Sequence, residues 1–168
     1  MIKTLNHPSM LSPFTTRSPQ ILNPTSLSNS THSSSEDTLW LTIRSTELGF
    51  EQVRLFSDFI KRAWNIEENY FINIDLALSE AVMNAIQHGN KEEEEKSVHI
   101  SAKRDTVFYT FTIKDEGPGF DFRGIQNPTD GENGKKAGGR GIFIMSYLAD
   151  NLHFTGNGKC ANLIFLRR

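Results

Sequence analysis

The stretch from Leu78 to Asn90, Leu-Ser-Glu-Ala-Val-Met-Asn-Ala-Ile-Gln-His-Gly-Asn, constrains this chain more than any other. Ala, Leu, Met and Glu dominate its surroundings and no Gly or Pro interrupts before Gly89, so a helix ending near Gly89 is predicted. Ile72, Leu76, Met83 and Ile86 roughly follow the 3.6-residue period and are expected on the buried face. Glu80, Asn84 and His88 recur every fourth residue, about 40° apart around the axis, which sets an acid, an amide and an imidazole on one stripe. A carboxylate can accept a proton, and an amide carbonyl can help hold a hard cation such as Mg²⁺. Taken alone, such a stripe is more often the polar edge of an amphipathic helix.

The stripe gains meaning from two glycine-rich segments downstream, Asp115-Glu116-Gly117-Pro118-Gly119-Phe120 and Gly138-Gly139-Arg140-Gly141-Ile142. Gly117 and Gly119 let the backbone turn tightly after a strand and approach a flat ligand. Asp115, at the expected strand end, can accept a hydrogen bond from an exocyclic amine, which favours adenine over guanine. At the start of a helix, the backbone N–H groups of Gly138 to Gly141 can cradle phosphates, and Lys135, Lys136 and Arg140 bring cations to the same place. No Gly-x-x-x-x-Gly-Lys-Ser/Thr run occurs, and the second segment does not follow a strand as a dinucleotide-binding turn would.

Length and charge exclude other classes. At 168 residues with a formal net charge of -2, the chain fits one domain with a real core and no electrostatic bias toward nucleic acid or an anionic membrane. It has no apolar run of membrane-crossing length and no signal-peptide h-region, and its one cysteine, Cys160, excludes an internal disulfide framework. A cytoplasmic, reducing location is expected. Residues 1–37 hold four of the six prolines among many Ser, Thr and Asn, and are expected to form a disordered tail, with targeting and regulatory roles both open.

Residues 38–168 are expected to be the ordered domain. Strands are predicted at Thr38–Ile43, Ser97–Lys103, Val107–Lys114, Leu152–Phe154 and Ala161–Leu166, with helices at Glu47–Trp64, up to Gly89, and at Gly141–Leu148. Lys91 to Lys96 reads as a solvated charged connection, and Phe122 to Lys136 as a long loop whose length suggests a lid. The order β-α-α-β-β-loop-α-β-β implies an α+β, two-layer sandwich with a mixed, mostly antiparallel sheet and helices on one face.

Helix with Glu and Asn, then Asp-x-Gly-x-Gly, then Gly-x-Gly opening a helix: this ordered set resembles the Bergerat-type ATP-binding fold of the GHKL (histidine-kinase-like) superfamily. Ser-Glu-Ala-x-x-Asn-Ala-x-x-His, Asp-Glu-Gly-x-Gly-Phe-Asp and Gly-Gly-Arg-Gly-Ile-x-x-Met are similar to motifs of bacterial anti-sigma-factor serine kinases, over about Thr38 to Arg168. The resemblance implies ATP and Mg²⁺ as cofactors, with Asn84 helping to hold Mg²⁺ and Asp115 binding adenine. It further implies that Gly117, Gly119, Gly139 and Gly141 shape the pocket and lid, that Arg140 lies near the terminal phosphates, and that Glu80 is the general base toward a protein serine. Implied partners are a sigma factor, a STAS-domain anti-anti-sigma protein that receives the phosphate, and a second copy of the chain. A non-catalytic, ATP-dependent binding switch is the alternative, and an ATPase module of a larger GHKL machine a third reading. Gly158-Lys159 departs from the family, where Gly-Thr commonly stands.

Overall fold

The computed structural model of the protein describes residues 15–16, 37–121 and 139–168. The expected loop at 122–136, Lys135, Lys136, Gly138 and nearly all of the expected tail lie outside the described residues.

Two alternating runs pair at the centre of the sheet. Ser97–Arg104 (β3) and Phe108–Lys114 (β4) run antiparallel with Ile100 opposite Ile113 and Ala102 opposite Phe111. Asp105 makes the connection: its Oδ1 accepts from the N–H groups of Val107 and Phe108, both at 2.7 Å. These two bonds hold its carboxyl below the usual range. Val107, expected inside the strand, precedes it and is exposed.

Asp37–Arg44 (β2) adds to β3, Thr15–Thr16 (β1) to β2, Cys160–Leu166 (β6) to β4, and Asn151–Thr155 (β5) to β6. The sheet order is β1-β2-β3-β4-β6-β5, and every described pairing is antiparallel. Burial alternates along β2, β3, β4 and β6, so only one face is covered.

That face carries Ile43, Val98, Ile100, Tyr109, Phe111, Ile113, Leu163 and Phe165, and it meets Val53, Phe56, Ile60 and Trp64 of Glu47–Trp64 (α1) in one core. Trp64 stacks on Tyr109 with ring centroids 5.5 Å apart and an 8° interplanar angle. The bounds of α1 follow its caps. Thr46 Oγ1 accepts the Gly49 N–H at 3.1 Å, and Asn65 closes the other end in the left-handed conformation.

The second helix, Glu68–Asn84 (α2), continues through a π-helical turn, Ala85–Gly89. Its buried face corrects the sequence expectation. Phe71, Ile74, Ala77, Leu78, Ala81 and Val82 enter the core, whereas Ile72 and Leu76 are 54% and 46% exposed. Apolar residues occur on several faces of this helix, so periodicity admits two registers. The sheet accepts the one carrying Phe71, Ile74 and Leu78. Ile72 and Leu76 fall instead on the i,i+4 stripe that ends in Glu80, Asn84 and His88.

Gly139–Leu148 (α3) packs against α2 through Met145, and Asp150 fastens its far end. Asp150 Oδ2 accepts the Leu166 N–H at 2.8 Å, while the Tyr70 hydroxyl donates to the Leu166 carbonyl at 2.6 Å. Burial, then the Asp150 charge, pushes the Tyr70 hydroxyl up to about 12. The first turn of α2, the end of α3 and the end of β6 are thereby joined. Among the described residues no helix is long and apolar enough to cross a membrane.

Candidate functional site

Between the C-terminal half of α2, the loop after β4, the β5–β6 hairpin and α3 lies a cavity of about 260 Å³. Asn84, His88, Asp115 and Gly119 of the expected site line it, together with apolar Phe120, Met145 and Phe154. The size and mostly apolar wall suit a flat organic ligand fixed by a few polar groups.

Asp115 ends β4 with its N–H bonded to the Lys159 carbonyl at 3.0 Å, and its Oδ1 accepts the Gly117 N–H at 2.8 Å. It is 7% exposed, and burial pushes its carboxyl up. The Gly117 and Asp115 N–H groups and the ammonium charges of Lys159 and Lys96 pull the other way. A buried carboxylate with one oxygen already held is a directional acceptor for the ligand's own donor.

The glycines around it answer to close packing. A Cβ on Gly89 would lie 2.5 Å from the Asp115 carboxyl carbon, and a Cβ on Gly117 would overlap the Gly89 carbonyl oxygen. The end of α2 therefore presses directly on the Asp115 loop, and neither position has room for a side chain. Gly119 differs, because its φ of +84° is left-handed and its neighbour is the backbone of Asn157 at the hairpin tip. Phe120 N–H donates to that same Asn157 carbonyl at 3.0 Å, so the hairpin holds Gly119 and Phe120 at the cavity wall.

Asn90 is a joint that the sequence reading left out of the site. It is fully buried; its Nδ2 donates to Ser45 Oγ at 2.8 Å and the Ser97 carbonyl at 2.9 Å, and its Oδ1 accepts the Glu116 N–H at 2.8 Å. One amide thus ties the ends of β2 and β3 to the residue after Asp115. In sequence it is only an Asn following a Gly at a helix end, which reads as a cap.

Asn84 and Glu80 sit beneath the first turn of α3. A Cβ on Gly141 would lie 2.8 Å from Glu80 Oε2 and 3.0 Å from Asn84 Nδ2, so Gly141 lets the helix start rest on both side chains. Asn84 Nδ2 is buried and has no hydrogen-bond partner among the described residues. An unsatisfied buried amide N–H is costly, and exchanging the amide's N and O atoms would set an acceptor at that place. In the exchanged orientation the amide carbonyl would be the acceptor that a hard cation needs.

Glu80 stands one turn from Asn84 but does not line the cavity. His88 is exposed at its edge, Gly139 begins α3, and Arg140 is exposed on the first turn. Lys135, Lys136 and Gly138 are not among the described residues. Lys159 is half-buried beside Gly119, its carbonyl on Asp115. From the charged connection, expected to be wholly solvated, Lys91 joins the cavity wall. Among the described residues no group of three His, Cys, Asp or Glu could hold a metal by itself, so a divalent ion here would share its coordination with a substrate and water.

A one-faced antiparallel sheet under three helices, with a strand-end carboxylate and a helix-borne amide meeting at one cavity, defines an α+β sandwich domain with a ligand site at the helix–sheet edge. Residues 47–165 match the model of the histidine kinase-like ATPase domain, and the chain belongs to that family. No curated protein matches the chain.

Proposed function

We propose that this protein binds Mg-ATP in the cavity between α2, α3 and the Asp115 loop, and transfers the γ-phosphoryl group to a serine of a STAS-type anti-anti-sigma protein. The reading rests above all on Asn84, whose buried Nδ2 has no partner among the described residues and which lines the same cavity as the Asp115 carboxylate. Asp115 accepts the adenine amine, held in direction by the Gly117 N–H. Phe120, Met145 and Phe154 cover the base and exclude water. Asn84 would help hold Mg²⁺, which when bound would supply neutralising charge to the phosphates. The N–H groups at the start of α3, and Arg140 on its first turn outside the cavity wall, would supply donors to the triphosphate.

Glu80 accepts the proton of the attacking serine hydroxyl as the serine oxygen–phosphorus bond forms and the bond to the leaving ADP breaks. Its neighbours explain how it is presented: one turn from Asn84, it lies directly below Gly141. The chain then acts in the cytoplasm as a homodimer that alternates between a sigma factor and the STAS protein. Support for this finer assignment is the motif resemblance at Glu80, Asn84 and the two glycine segments.

One observation favours a second reading, an ATP-dependent binding switch without transfer: Glu80 is outside the cavity wall and covered by the α3 start. Capture from native lysate in Mg-ATP or Mg-ADP, followed by mass spectrometry, separates the two. A sigma factor or STAS protein recovered with a new phosphoserine in ATP supports the kinase. Nucleotide-dependent partners without any phosphosite support the switch, and no partner in either nucleotide rejects the sigma-factor assignment.

A further inference from the structure

We infer that Lys91 is a nucleotide contact of this protein, an ammonium held at the cavity to meet the anionic part of the ligand. The inference rests on the ATP reading above and adds to it a residue outside the motifs that suggested it. Lys91 follows the π-helical turn, in a segment whose composition reads as a solvated loop. The structure sets it on the cavity wall, the sole lysine or arginine there among the described residues. None of the ion pairs between described residues includes it.

The backbone gives the second, independent argument. Lys91 has φ 59° and Glu92 φ 58°, two successive left-handed residues of which neither is Gly. A helix commonly ends in one such residue, and glycine is the usual occupant. Here the terminating bonds are the Asn90 N–H to the Ala85 carbonyl at 2.8 Å and the Glu92 N–H to the Ile86 carbonyl at 2.9 Å. They require the left-handed turn at residue 91, after the glycine at 89 has already been taken up by the close approach to Asp115. Lysine occupies the position at a conformational cost that glycine would avoid. Strain of this kind held beside a cavity points to a use for the side chain.

Charge decides which part of the ligand it serves. The cavity's buried carboxylate, Asp115, suits the donor-bearing base, and Lys91, in no ion pair among the described residues, brings to the same cavity a positive charge that complements phosphate oxygens.

The test uses the full chain and three proteins, wild type, Lys91→Gly and Lys91→Gln, titrated in Mg²⁺ with a fluorescent ATP analogue that ATP and adenosine then displace. Lys91→Gly should melt a few degrees higher because it relieves the left-handed backbone, yet bind ATP about three- to tenfold more weakly. Lys91→Gln should weaken ATP by the same factor without the gain in melting temperature. Adenosine should bind all three alike, and 0.5 M salt should shrink the ATP difference. ATP affinity within twofold of wild type in both variants would make Lys91 a strained helix end and nothing more. An equal loss for adenosine and ATP would also overturn the inference, since the contact would then not be to the phosphates. Wild type that fails to bind ATP, or whose binding survives Asp115→Asn, refutes the ATP reading itself; binding lost in Asp115→Asn but untouched at Lys91 refutes this inference alone.

Discussion

Replacing Asn90 by Ala tests whether one buried amide holds the site together. The side chain is 0% exposed and makes hydrogen bonds at 2.8, 2.9 and 2.8 Å to Ser45 Oγ, the Ser97 carbonyl and the Glu116 N–H. Ser45, at 3% exposure, cannot turn its hydroxyl to solvent. Each lost bond that leaves a buried partner costs about 1–1.5 kcal/mol, so the joint as a whole is worth about 3–4 kcal/mol. For a domain of this size that lowers the melting temperature by about 10–15 °C. Urea unfolding followed by circular dichroism measures it directly, with Asn69→Ala as the exposed control expected within about 0.5 kcal/mol of wild type. Asn90→Asp sharpens the test. It keeps the acceptor for Glu116 but sets a carboxylate oxygen against the Ser97 carbonyl, so it should be as damaging at pH 7 and recover partly in acid, when the carboxyl can donate again. An Asn90→Ala loss below about 1 kcal/mol, at unchanged urea dependence, would refute the joint.

Three further outcomes follow from the site. Gly117→Ala forces a Cβ into the Gly89 carbonyl, which is backbone on both sides, and should cost about 2–3 kcal/mol in stability and most of the nucleotide affinity by calorimetry. Asp115 has a folded-state pKa raised by burial above 3.8, so its ionisation opposes folding: its stabilising share is present below that value and is lost as pH rises through the folded pKa. Asp115→Asn, which keeps the acceptor for Gly117, should therefore melt above wild type at pH 7 and level with it below pH 3.8, while losing ATP; a variant melting lower at pH 7 would contradict the burial argument. Glu80→Gln should keep ATP affinity within about twofold and abolish phosphate transfer to the captured partner, and transfer at the wild-type rate would remove Glu80 from the role of base.

The strands and helices were readable because local rules and packing agree in them. Thr46 and Asn65 cap α1 at the ends that periodicity selects, and Asp105 turns β3 into β4 where the alternation breaks. In α2 the rules permit more than one answer. Ile72 and Leu76 satisfy the helical period as well as Phe71 and Ile74 do, and only the sheet against which the helix packs chooses between them. The motif residues were likewise visible, and Asn84, His88, Asp115 and Gly119 do share one cavity. Glu80 stands apart from its wall beneath Gly141, because the α3 start comes down on that part of the stripe.

By itself the sequence determined the α+β class and the bounds of most elements, and it singled out Asn84, His88, Asp115 and Gly119 as candidates, since capping, alternation and spacing are properties of neighbours along the chain. The three-way bonding of Asn90, the contact of Gly117 with Gly89, the burial of the Asp115 carboxyl and the place of Lys91 on the cavity wall were decided by tertiary structure alone. Each depends on segments remote in sequence meeting within a few ångströms. At that range excluded volume and desolvation, rather than local preference, settle what a residue does.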